Sequence, residues 1–534
     1  MKQIILTVWV VFAFITTRDC LVELYAQPQD TMQYLDNRIA NLEQEIATLK
    51  QIKEQLQQPI QPEEPEEIPI SEYGYKGFTT RELQDGEVAI DTLPFVITQP
   101  GTYLLTQDLI AADSGVAIMS SDVVLDLNGY RILYGSVAKL IENGWSYHGR
   151  VNGNVCHSGI VCPSRPDRCY DFAFDWNYLF RKSFQNVTIK NGLIESSHDE
   201  TLNHSIALDI SGLTDPIVEN VVTIVHCNDS QAIAVSGGMI DYCTFIDNGR
   251  TVVNRHSMLC VVNLEGGVIK HCDIVGGAQT GIRCGINTSC AYNRIAIDSV
   301  ASNGYCITCN DGVEVMFNRC LPKNGRGIFI HSDNGYVHDN VVDAKEKGNA
   351  EYATLQTHGI KIEHGSGNRI ESNAVTVRDS EGGQPTALNI DLKEGESNQI
   401  KNNLFRALKE GEGPEEAVAL CIVDANLIDQ VISQNIFESN HYMLRHIGDC
   451  SNVVITGNVF RSIEHNGRKS EVFYRGRDYG TFQARIVDNT YAGGCNPLTC
   501  EWPSKYVGWD DDQELFISGT TIRWDAEQGI EIRN

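Results

Sequence analysis

Three short segments in the middle of the chain carry polar side chains whose types suit acid–base chemistry. Each segment starts with a small residue and alternates apolar and polar positions, as in Gly359-Ile-Lys-Ile-Glu. Because side chains alternate between the two faces of a strand, the polar ones point outward. Aligning the segments places His331, Glu363 and Asp391 on neighbouring strands about 5 Å apart, with Lys361 beside them. The alignment therefore predicts a compact cluster of two carboxylates, a lysine and a histidine.

These four residues are the candidate catalytic group, and two reactions fit them. Two carboxylates about 5 Å apart suit the nucleophile and the acid of a retaining glycosidase, which would be Glu363 and Asp391. In the other reaction, Lys361 or His331 abstracts a proton beside a uronate carboxylate in a β-elimination, and a metal or Arg283 neutralises that carboxylate. A structural interpretation also stays open, since outward positions of a solvated sheet are usually polar.

The outward positions form two columns, which define the other candidate ligand-binding residues. The first column is predicted to hold Arg283, Cys306, Phe329, Lys361, Asn389 and Cys421. The second is predicted to hold Gly285, Thr308, His331, Glu363, Asp391 and Val423. Within them, Arg283 and Asn389 are candidate substrate-binding residues. The sequence offers no metal-ligand set, since its one CxxC has no second CxxC at metal spacing, and it leaves the cofactor unidentified.

An insertion at about residues 135–185 is rich in aromatic residues. Aromatic rings pack on sugar rings as well as on protein, so Trp145 and Trp176 are candidate substrate-binding residues at the wall of a groove. The alternative is a loop whose aromatic residues pack onto the body of the protein.

The elements that must position these residues repeat from about residue 78 to residue 490. The repeated signature is Asn, any residue and an apolar residue, at intervals of 21 to 33 residues. It occurs at Asn191, Asn220, Asn293, Asn318, Asn340, Asn373, Asn403, Asn435, Asn458 and Asn489, with Asn128 as an earlier member. Cys243 and Cys272 take the place of Asn in two repeats. Such a period of short strands predicts a solenoid with one coil per repeat.

The repeated Asn has a physical role in a solenoid. Neighbouring coils stack about 4.8 Å apart as parallel strands. The amide of one Asn can then bond to the amide on the next coil, which keeps a buried turn satisfied. At Cys243 and Cys272 we expect the thiol to fill the space without the ladder bond.

This pattern resembles the right-handed parallel β-helix proteins of the pectin-lyase-like superfamily over about 410 residues. The opening segments Phe95-Val-Ile-Thr-Gln-Pro-Gly-Thr-Tyr and Ser121-Asp-Val-Val-Leu-Asp-Leu-Asn-Gly-Tyr are similar to the entry of bacterial members. The resemblance implies an all-β fold with polysaccharide bound along the outside of one sheet. Thr357-His358-Gly359-Ile-Lys is only a fragment of the polygalacturonase motifs. The aspartate sets of pectate lyases and the Asp-Pro-His of alginate epimerases are not found, so no specific enzyme family is matched.

The segments outside the repeat have other signatures. Residues 1–26 resemble a secretory signal peptide, with Lys2 before an apolar run that is too short to span a membrane. Residues 59–77 are rich in Pro and Glu and predict an extended linker. Residues 491–534 lose the repeat and are expected to cap the solenoid.

A heptad pattern occupies residues 31–58. Met32, Ile39 and Ile46 take one core position, and Leu35, Leu42, Leu49 and Leu56 take the other. The pattern predicts an N-terminal coiled-coil helix about 42 Å long. The chain is therefore expected to be a homo-oligomer, a dimer or a trimer.

Charge narrows the class of partner. The chain has 42 Lys and Arg residues against 70 Asp and Glu residues, a formal net charge of −28. Such a surface repels phosphate backbones, so nucleic acid is not an expected partner. We expect a secreted or cell-surface protein that binds polysaccharide or a cell-surface glycan, with cleavage by a lyase or hydrolase left open. The alternative is a non-enzymatic surface or adhesion protein that uses the solenoid as a rigid scaffold.

Overall fold

The computed structural model describes most of the chain from residue 73 to residue 533. Outside the described residues lie 1–72, 113, 136–139, 147–148, 155–156, 163–183, 198–204, 227–229, 249–259, 277–279, 299–303, 324, 347–355, 380–383, 392–394, 411–416, 424–426, 448–449, 464–473, 476–481, 493–513, 518–519, 526–528 and 534. The expected signal peptide and coiled coil, nearly all of the linker and much of the aromatic insertion fall in these ranges. They remain predictions.

Fourteen parallel strands, one for each coil, form the first sheet, here called sheet 1. The strands are Phe95–Ile97, Val116–Ile118, Ile160–Val161, Ser205–Ile210, Ser230–Val235, Cys260–Leu264, Thr280–Cys284, Tyr305–Cys309, Arg326–His331, Gln356–His364, Gln384–Ile390, Val418–Val423, Tyr442–Ile447 and Tyr474–Arg475. Each strand pairs in parallel with the strand of the next repeat. The predicted solenoid of stacked coils is thereby confirmed.

A 31-stranded sheet, sheet 2, forms the rest of the wall and has two arms. The first arm contains Val88–Ile90, Gly101–Leu105, Val123–Asp126, Met239–Asp241, Gly267–Lys270, Thr288–Ala291, Glu314–Met316, Tyr336–His338, Arg369–Glu371, Gln399–Lys401, Leu427–Ile428, Val431–Ser433, Cys450–Thr456, Phe482–Val487 and Glu514–Ile517. The second arm contains Leu109–Ile110, Arg131–Tyr134, Thr244–Asp247, Asp273–Gly276, Arg294–Ile297, Arg319–Cys320, Val341–Glu346, Ala374–Asp379, Leu404–Lys409, Ile436–Ser439, Val459–Ser462 and Thr490–Ala492. The long strands Val187–Ser196 and Ile217–Val225 run through both arms.

A few strands pair antiparallel or form small sheets of their own. Thr520–Asp525 pairs antiparallel with both Glu514–Ile517 and Gly529–Arg533. In the insertion, Leu140–Ser146 pairs antiparallel with Gly149–Asn154, and Phe184–Gln185 pairs in parallel with Leu213–Thr214. No α-helix occurs in the described ranges, and none of those residues forms a helix that could cross a membrane.

The core runs along the inside of the solenoid in columns of like residues. Ile282, Ile307, Ile328 and Ile360 stack on successive coils of sheet 1 and are fully buried. A small residue precedes each of them because side chains of sheet 2 leave little room there. A Cβ atom at Gly359 would lie 2.2 Å from Cγ1 of Val375 on sheet 2.

The predicted asparagine ladder is confirmed from Asn293 to Asn489. In the middle of the ladder, Asn340 donates to Oδ1 of Asn373 at 3.0 Å and to the carbonyl of Val315 at 2.9 Å. Its own Oδ1 accepts from the backbone N–H of Asn318 at 2.9 Å. Each ladder amide therefore satisfies backbone groups of two coils as well as its neighbour.

Cys272 fills its place in the column without the amide-to-amide bond, as expected, and is fully buried. Its Sγ donates to the carbonyl of Lys270 at 3.1 Å. One detail of the ladder differs from the sequence interpretation. Asn128, Asn191 and Asn220 stand one position earlier, in the left-handed conformation with φ near +55°, and do not belong to the ladder.

These three asparagines hold a strap instead. The strap is the segment Gly74 to Arg81, which crosses successive coils on the outside of the solenoid. Asn191 accepts from the N–H of Thr79 at 2.9 Å and donates to its carbonyl at 2.6 Å. Asn128 makes the same pair of bonds to Arg81, at 2.6 and 2.9 Å. The amides that lie outside the ladder thus bind backbone from the N-terminal side of the chain.

Candidate functional site

The strand register fixes which side chains share the outward face of sheet 1. The first outward column, here called the central column, runs Ala234, Asn263, Arg283, Thr308, Phe329, Lys361, Asn389 and Cys421. Thr308 thus holds the place that the sequence alignment gave to Cys306. That alignment was wrong because it took Gly304 as the small residue of its strand. Cys306 is the small residue there, and it is fully buried.

A bulge shapes the second outward column. Ile330 pairs with Ile362, but the next pair is His331 with His364, so Glu363 is the extra residue of its strand. Bulges re-aim side chains, and Asp391 lies directly after the next strand, Gln384–Ile390.

The two carboxylates meet at the lysine, as the sequence predicts. Nζ of Lys361 lies 3.1 Å from Oε1 of Glu363 and 3.1 Å from Oδ2 of Asp391. Those two oxygens are therefore no more than about 6.2 Å apart, twice that distance. His331 stands at the edge, with Nδ1 4.0 Å from Oε2 of Glu363 and about half of its side chain exposed. The structure thus brings all four candidate catalytic residues together.

The lysine keeps its charge. Its side chain is only 11% exposed, and this burial lowers the pKa of Lys361. The lowering is outweighed by Tyr305, Glu363 and Asp391, and the net effect is a raised pKa. A lysine with a raised pKa stays protonated at neutral pH, which disfavours it as the base of a β-elimination.

Aromatic side chains border the cluster on the side of the lower-numbered coils. The rings of Tyr305 and Phe329 stack with centroids 4.6 Å apart, and Nζ of Lys361 lies 5.9 Å from the Phe329 centroid. Arg326 donates to the hydroxyl of Tyr305 at 2.6 Å. His331 contacts the same Phe329 ring at 5.9 Å. Aromatic rings and charged or polar side chains therefore lie side by side along the face.

A buried polar pair lies on the other side of the cluster. Asn389 donates from Nδ2 to Nε2 of His358 at 2.8 Å, and each side chain is 2% exposed. Burial, and to a smaller extent the charges of Arg326 and Lys361, hold the pKa of His358 well below its usual value. The imidazole is therefore neutral and acts as the acceptor for the Asn389 amide.

Exposure along the central column defines an open stretch. Asn263, Arg283, Thr308 and Phe329 are partly exposed on four consecutive coils, about 14 Å from first to last. On either side the outward residues are buried: Ala234 at 1%, then Lys361 at 9%, Asn389 at 2% and Cys421 at 5%. The face is therefore open over a limited length, and the lysine cluster lies at one end of it.

A second amide ladder, which the sequence interpretation missed, supports the turn that follows the cluster. Asn368 accepts from the N–H of Gly335 at 2.7 Å, and Asn398 accepts from the N–H of Asn368 at 2.8 Å. The carboxylate of Asp333 accepts from the N–H of Ser366 at 2.7 Å. The signal was visible as Asn-Arg-Ile and Asn-Gln-Ile at equivalent repeat positions.

A column formed by Tyr305, Arg326 and His358 beside the cluster was also not predicted from the sequence. All three precede the small residue of their strands, and they appear as a column once Cys306 is aligned with Gly327 and Gly359. The column can be found from the sequence only when the register of the Tyr305–Cys309 strand is known.

Three predicted substrate-binding residues do not join the cluster. Arg283 lies on the open stretch but three strands from Lys361, about 14 Å away. Trp145 is in the antiparallel strand Leu140–Ser146, opposite Arg150, and its side chain lies outside the description. Trp176 falls among residues 163–183, also outside it. Across the described ranges, no group of three or more His, Cys, Asp or Glu side chains could hold a metal ion.

Three solved structures match the chain at low sequence identity and low TM-score. The tailspike protein of E. coli bacteriophage HK620 is 8% identical, with a TM-score of 0.36, over 77% of this chain and 71% of that one. Tailspike protein 3 of bacteriophage CBA120 is 10% identical, with a TM-score of 0.33, over 81% of this chain and 64% of that one. DFA-IIIase from Arthrobacter chlorophenolicus, solved with DFA-III, is 11% identical, with a TM-score of 0.30, over 58% of this chain and 72% of that one.

The stacked parallel coils of sheets 1 and 2 make the fold a parallel β-helix. No protein-family model and no curated protein sequence matches the chain. What this β-helix does must therefore be argued from its own outward face.

Proposed function

We propose that this parallel β-helix protein binds polysaccharide on the outward face of sheet 1. The open stretch of the central column, ending at the Lys361 cluster, is the observation that supports the proposal. Ligand sites combine apolar surface with a few convergent polar groups. Here the partly exposed ring of Phe329, backed by the buried ring of Tyr305, supplies carbon surface, and Glu363 and Asp391 supply acceptors for sugar hydroxyl groups.

The charges favour a neutral glycan over a polyuronate. Both carboxylates already share the ammonium group of Lys361 at 3.1 Å, so this lysine is not free to bind an acidic sugar. The whole chain carries a formal charge of −28, which repels polyanions at long range. A neutral polysaccharide is not repelled by the negative charge and does not need a free lysine to bind it.

Hydrolysis is the second candidate function, and the spacing of the two carboxylates is compatible with it. The nearest oxygens of Glu363 and Asp391 are no more than about 6.2 Å apart, twice 3.1 Å. This limit includes the separation of about 5 to 5.5 Å that retaining glycosidases use. A β-elimination with Lys361 as base is not favoured, because its pKa is raised.

A binding screen tests the proposal. The purified chain is titrated with dextran, mannan, xylan and soluble β-glucan, and with polygalacturonate as the acidic comparison. We expect at least one neutral polymer to bind, and Phe329→Ala to weaken that binding at least tenfold. Ile110→Ala, at a position 63% exposed on sheet 2, is the control and should bind normally. If Phe329→Ala binds the polymer as tightly as the unmodified protein, the binding site is not on this face.

Reducing ends measured on the same mixtures decide between binding and hydrolysis. If the chain is a glycosidase, Glu363→Gln and Asp391→Asn should each lower turnover by orders of magnitude, because each removes a titrating group at nearly constant volume. Each variant should also lower the melting temperature, because Lys361 loses one of its two carboxylate partners, so turnover is measured well below the melting transition. Turnover that is unaltered in both variants would exclude this pair as catalytic residues.

A further inference from the structure

The polar side chains of the open stretch have no partners within the described protein. Asn263, Arg283 and Thr308 lie side by side in the central column, on consecutive strands about 4.8 Å apart. All three are partly exposed. In the part of the chain that the structure describes, none of the three side chains forms a hydrogen bond or an ion pair. Their polar atoms are therefore available to a ligand.

Arg283 differs in this respect from the other arginines whose side chains are described. Arg326 donates to the hydroxyl of Tyr305, and Arg319 also has a partner. The rest form ion pairs with carboxylates, and they are Arg81, Arg131, Arg294, Arg369, Arg378, Arg406 and Arg461. In a chain with 70 acidic against 42 basic residues, an arginine without a carboxylate partner is unexpected.

The surroundings of Arg283 in the column carry no charge. Its register neighbours are Asn263 and Thr308, and the residues beyond them are Ala234 and Phe329. Glu265 follows the neighbouring strand Cys260–Leu264 but is exposed, and among the described residues it forms no ion pair with Arg283. The guanidinium group thus lies on the candidate ligand face with its charge uncompensated by a direct contact.

The donors in this stretch fit an anionic group. A guanidinium group is planar and presents five N–H donors that match the oxygens of a carboxylate. Asn263 and Thr308 add an amide and a hydroxyl donor on the two sides. The group that these residues fit is therefore a small anion with several acceptor oxygens, either a carboxylate or a sulfate. Phe329 lies two strands from Arg283, about 10 Å away, so one glycan can reach both.

A single acidic group is compatible with the overall charge, whereas a row of them is not. At physiological salt the Debye length is about 8 Å, so an isolated acid responds mainly to Arg283 and much less to the distant charges of the chain. A polyuronate carries an acid on every unit and would also bring carboxylates close to Glu363 and Asp391, which repel them.

We propose that Arg283, flanked by Asn263 and Thr308, binds an anionic substituent of a largely neutral glycan, while Phe329 contacts a neutral unit of the same chain. This inference rests on the polysaccharide binding proposed for the same face. It adds the substrate class, which is a neutral polysaccharide that carries isolated acidic groups.

The test uses matched polymers that differ only in sparse charge. Mannan and soluble β-glucan are each prepared untreated, with a small fraction of primary hydroxyl groups oxidised to carboxylates, and with a similar fraction sulfated. We expect at least one sparsely charged form to bind at least tenfold more tightly than the untreated polymer, and the two arms distinguish carboxylate from sulfate. Equal or weaker binding of both charged forms would overturn the anion site while leaving polysaccharide binding in place. If no polymer binds in any form, the proposed function itself fails.

Variants then locate the site. Arg283→Gln should remove the preference, so that charged and untreated forms bind with equal affinity. Arg283→Lys keeps the charge but not the planar fork, and should retain only part of the preference. Lys401→Gln is the matched control, because it removes one positive charge at an exposed position on sheet 2, and it should keep the full preference. A preference that is unchanged in Arg283→Gln, or lost equally in Lys401→Gln, would contradict a direct contact with Arg283.

Discussion

At the scale of single residues, Lys361 organises the candidate site. Its ammonium group contacts the carboxylates of Glu363 and Asp391, on its own strand and on the next one, and faces the Phe329 ring. Without it two carboxylates would lie close together at the edge of an apolar strip, and like charges at that distance repel. The lysine thus sets both the spacing and the charge of the acceptors that a ligand would meet.

Replacing this lysine should make the cluster less stable. In Lys361→Met the stem is kept and the charge removed, so Glu363 and Asp391 lose their shared partner. We expect a loss of about 2 kcal/mol at pH 7, the size of hydrogen bonds to charged groups. Urea unfolding of both proteins measures it. A change below about 0.5 kcal/mol would mean that the ion pairs are not formed in solution.

The pH dependence has a definite sign. The pKa of Lys361 is raised in the folded state, so its ionisation stabilises the protein below the unfolded-state value of about 10.4. That stabilisation is lost as the pH rises through the folded-state pKa. Above about pH 10.4, the melting temperature of the unmodified protein should therefore fall more steeply than that of Lys361→Met. Parallel curves would contradict the raised pKa.

At the scale of elements, amide ladders hold the turns of the solenoid in register. A ladder amide such as that of Asn373 accepts from Asn340 at 3.0 Å and donates to Asn403 at 2.9 Å and to the carbonyl of Val337 at 2.9 Å. The second ladder does the same for the turn beside His331 and His364. A site made from several coils keeps its shape because each turn is fixed to the next.

Removing one ladder amide should be costly. Asn373→Ala leaves a backbone N–H and two carbonyl groups without partners in a buried turn, and we expect a loss of about 3 kcal/mol. Asn310→Ala is the matched control, since Asn310 is half-buried on the outward side and should lose less than about 0.5 kcal/mol. Chemical denaturation measures both. Equal losses would mean that the ladder adds nothing specific.

The sequence predicted most of these elements and part of the site. The repeat gave the coils and the ladder from Asn293 onward, because a regular spacing imposes one register on many strands. The errors came from single positions. Cys306 is small enough to replace glycine, which shifted one strand, and Asn191 shares its residue type with the ladder but not its backbone conformation. The buried hydrogen bond between Asn389 and His358 joins residues 31 apart in sequence, and no local pattern reveals that contact.

At the scale of the molecule, the strap joins the N-terminal side of the chain to the solenoid. Asn128, Asn191 and Asn220 bind its backbone on successive coils, at 2.6 to 2.9 Å. Gly74 reaches as far as the carbonyl of His271 at 2.9 Å. The attachment is therefore made along the flank of several coils. A segment that precedes residue 73 can be removed without touching these bonds.

That separation makes the predicted oligomer testable. The heptads of residues 31–58 predict a helix that would bury its Ile and Leu positions against another copy, and the Pro- and Glu-rich segment after it predicts an extended linker. We expect the chain from residue 27 onward to be a dimer or trimer by light scattering. A chain starting at residue 71 keeps the strap and should be a folded monomer with an unchanged melting temperature. A chain starting at residue 86 lacks the strap and should melt earlier, which separates the two roles of the N-terminal side. A monomeric longer chain at micromolar concentration would contradict the coiled coil.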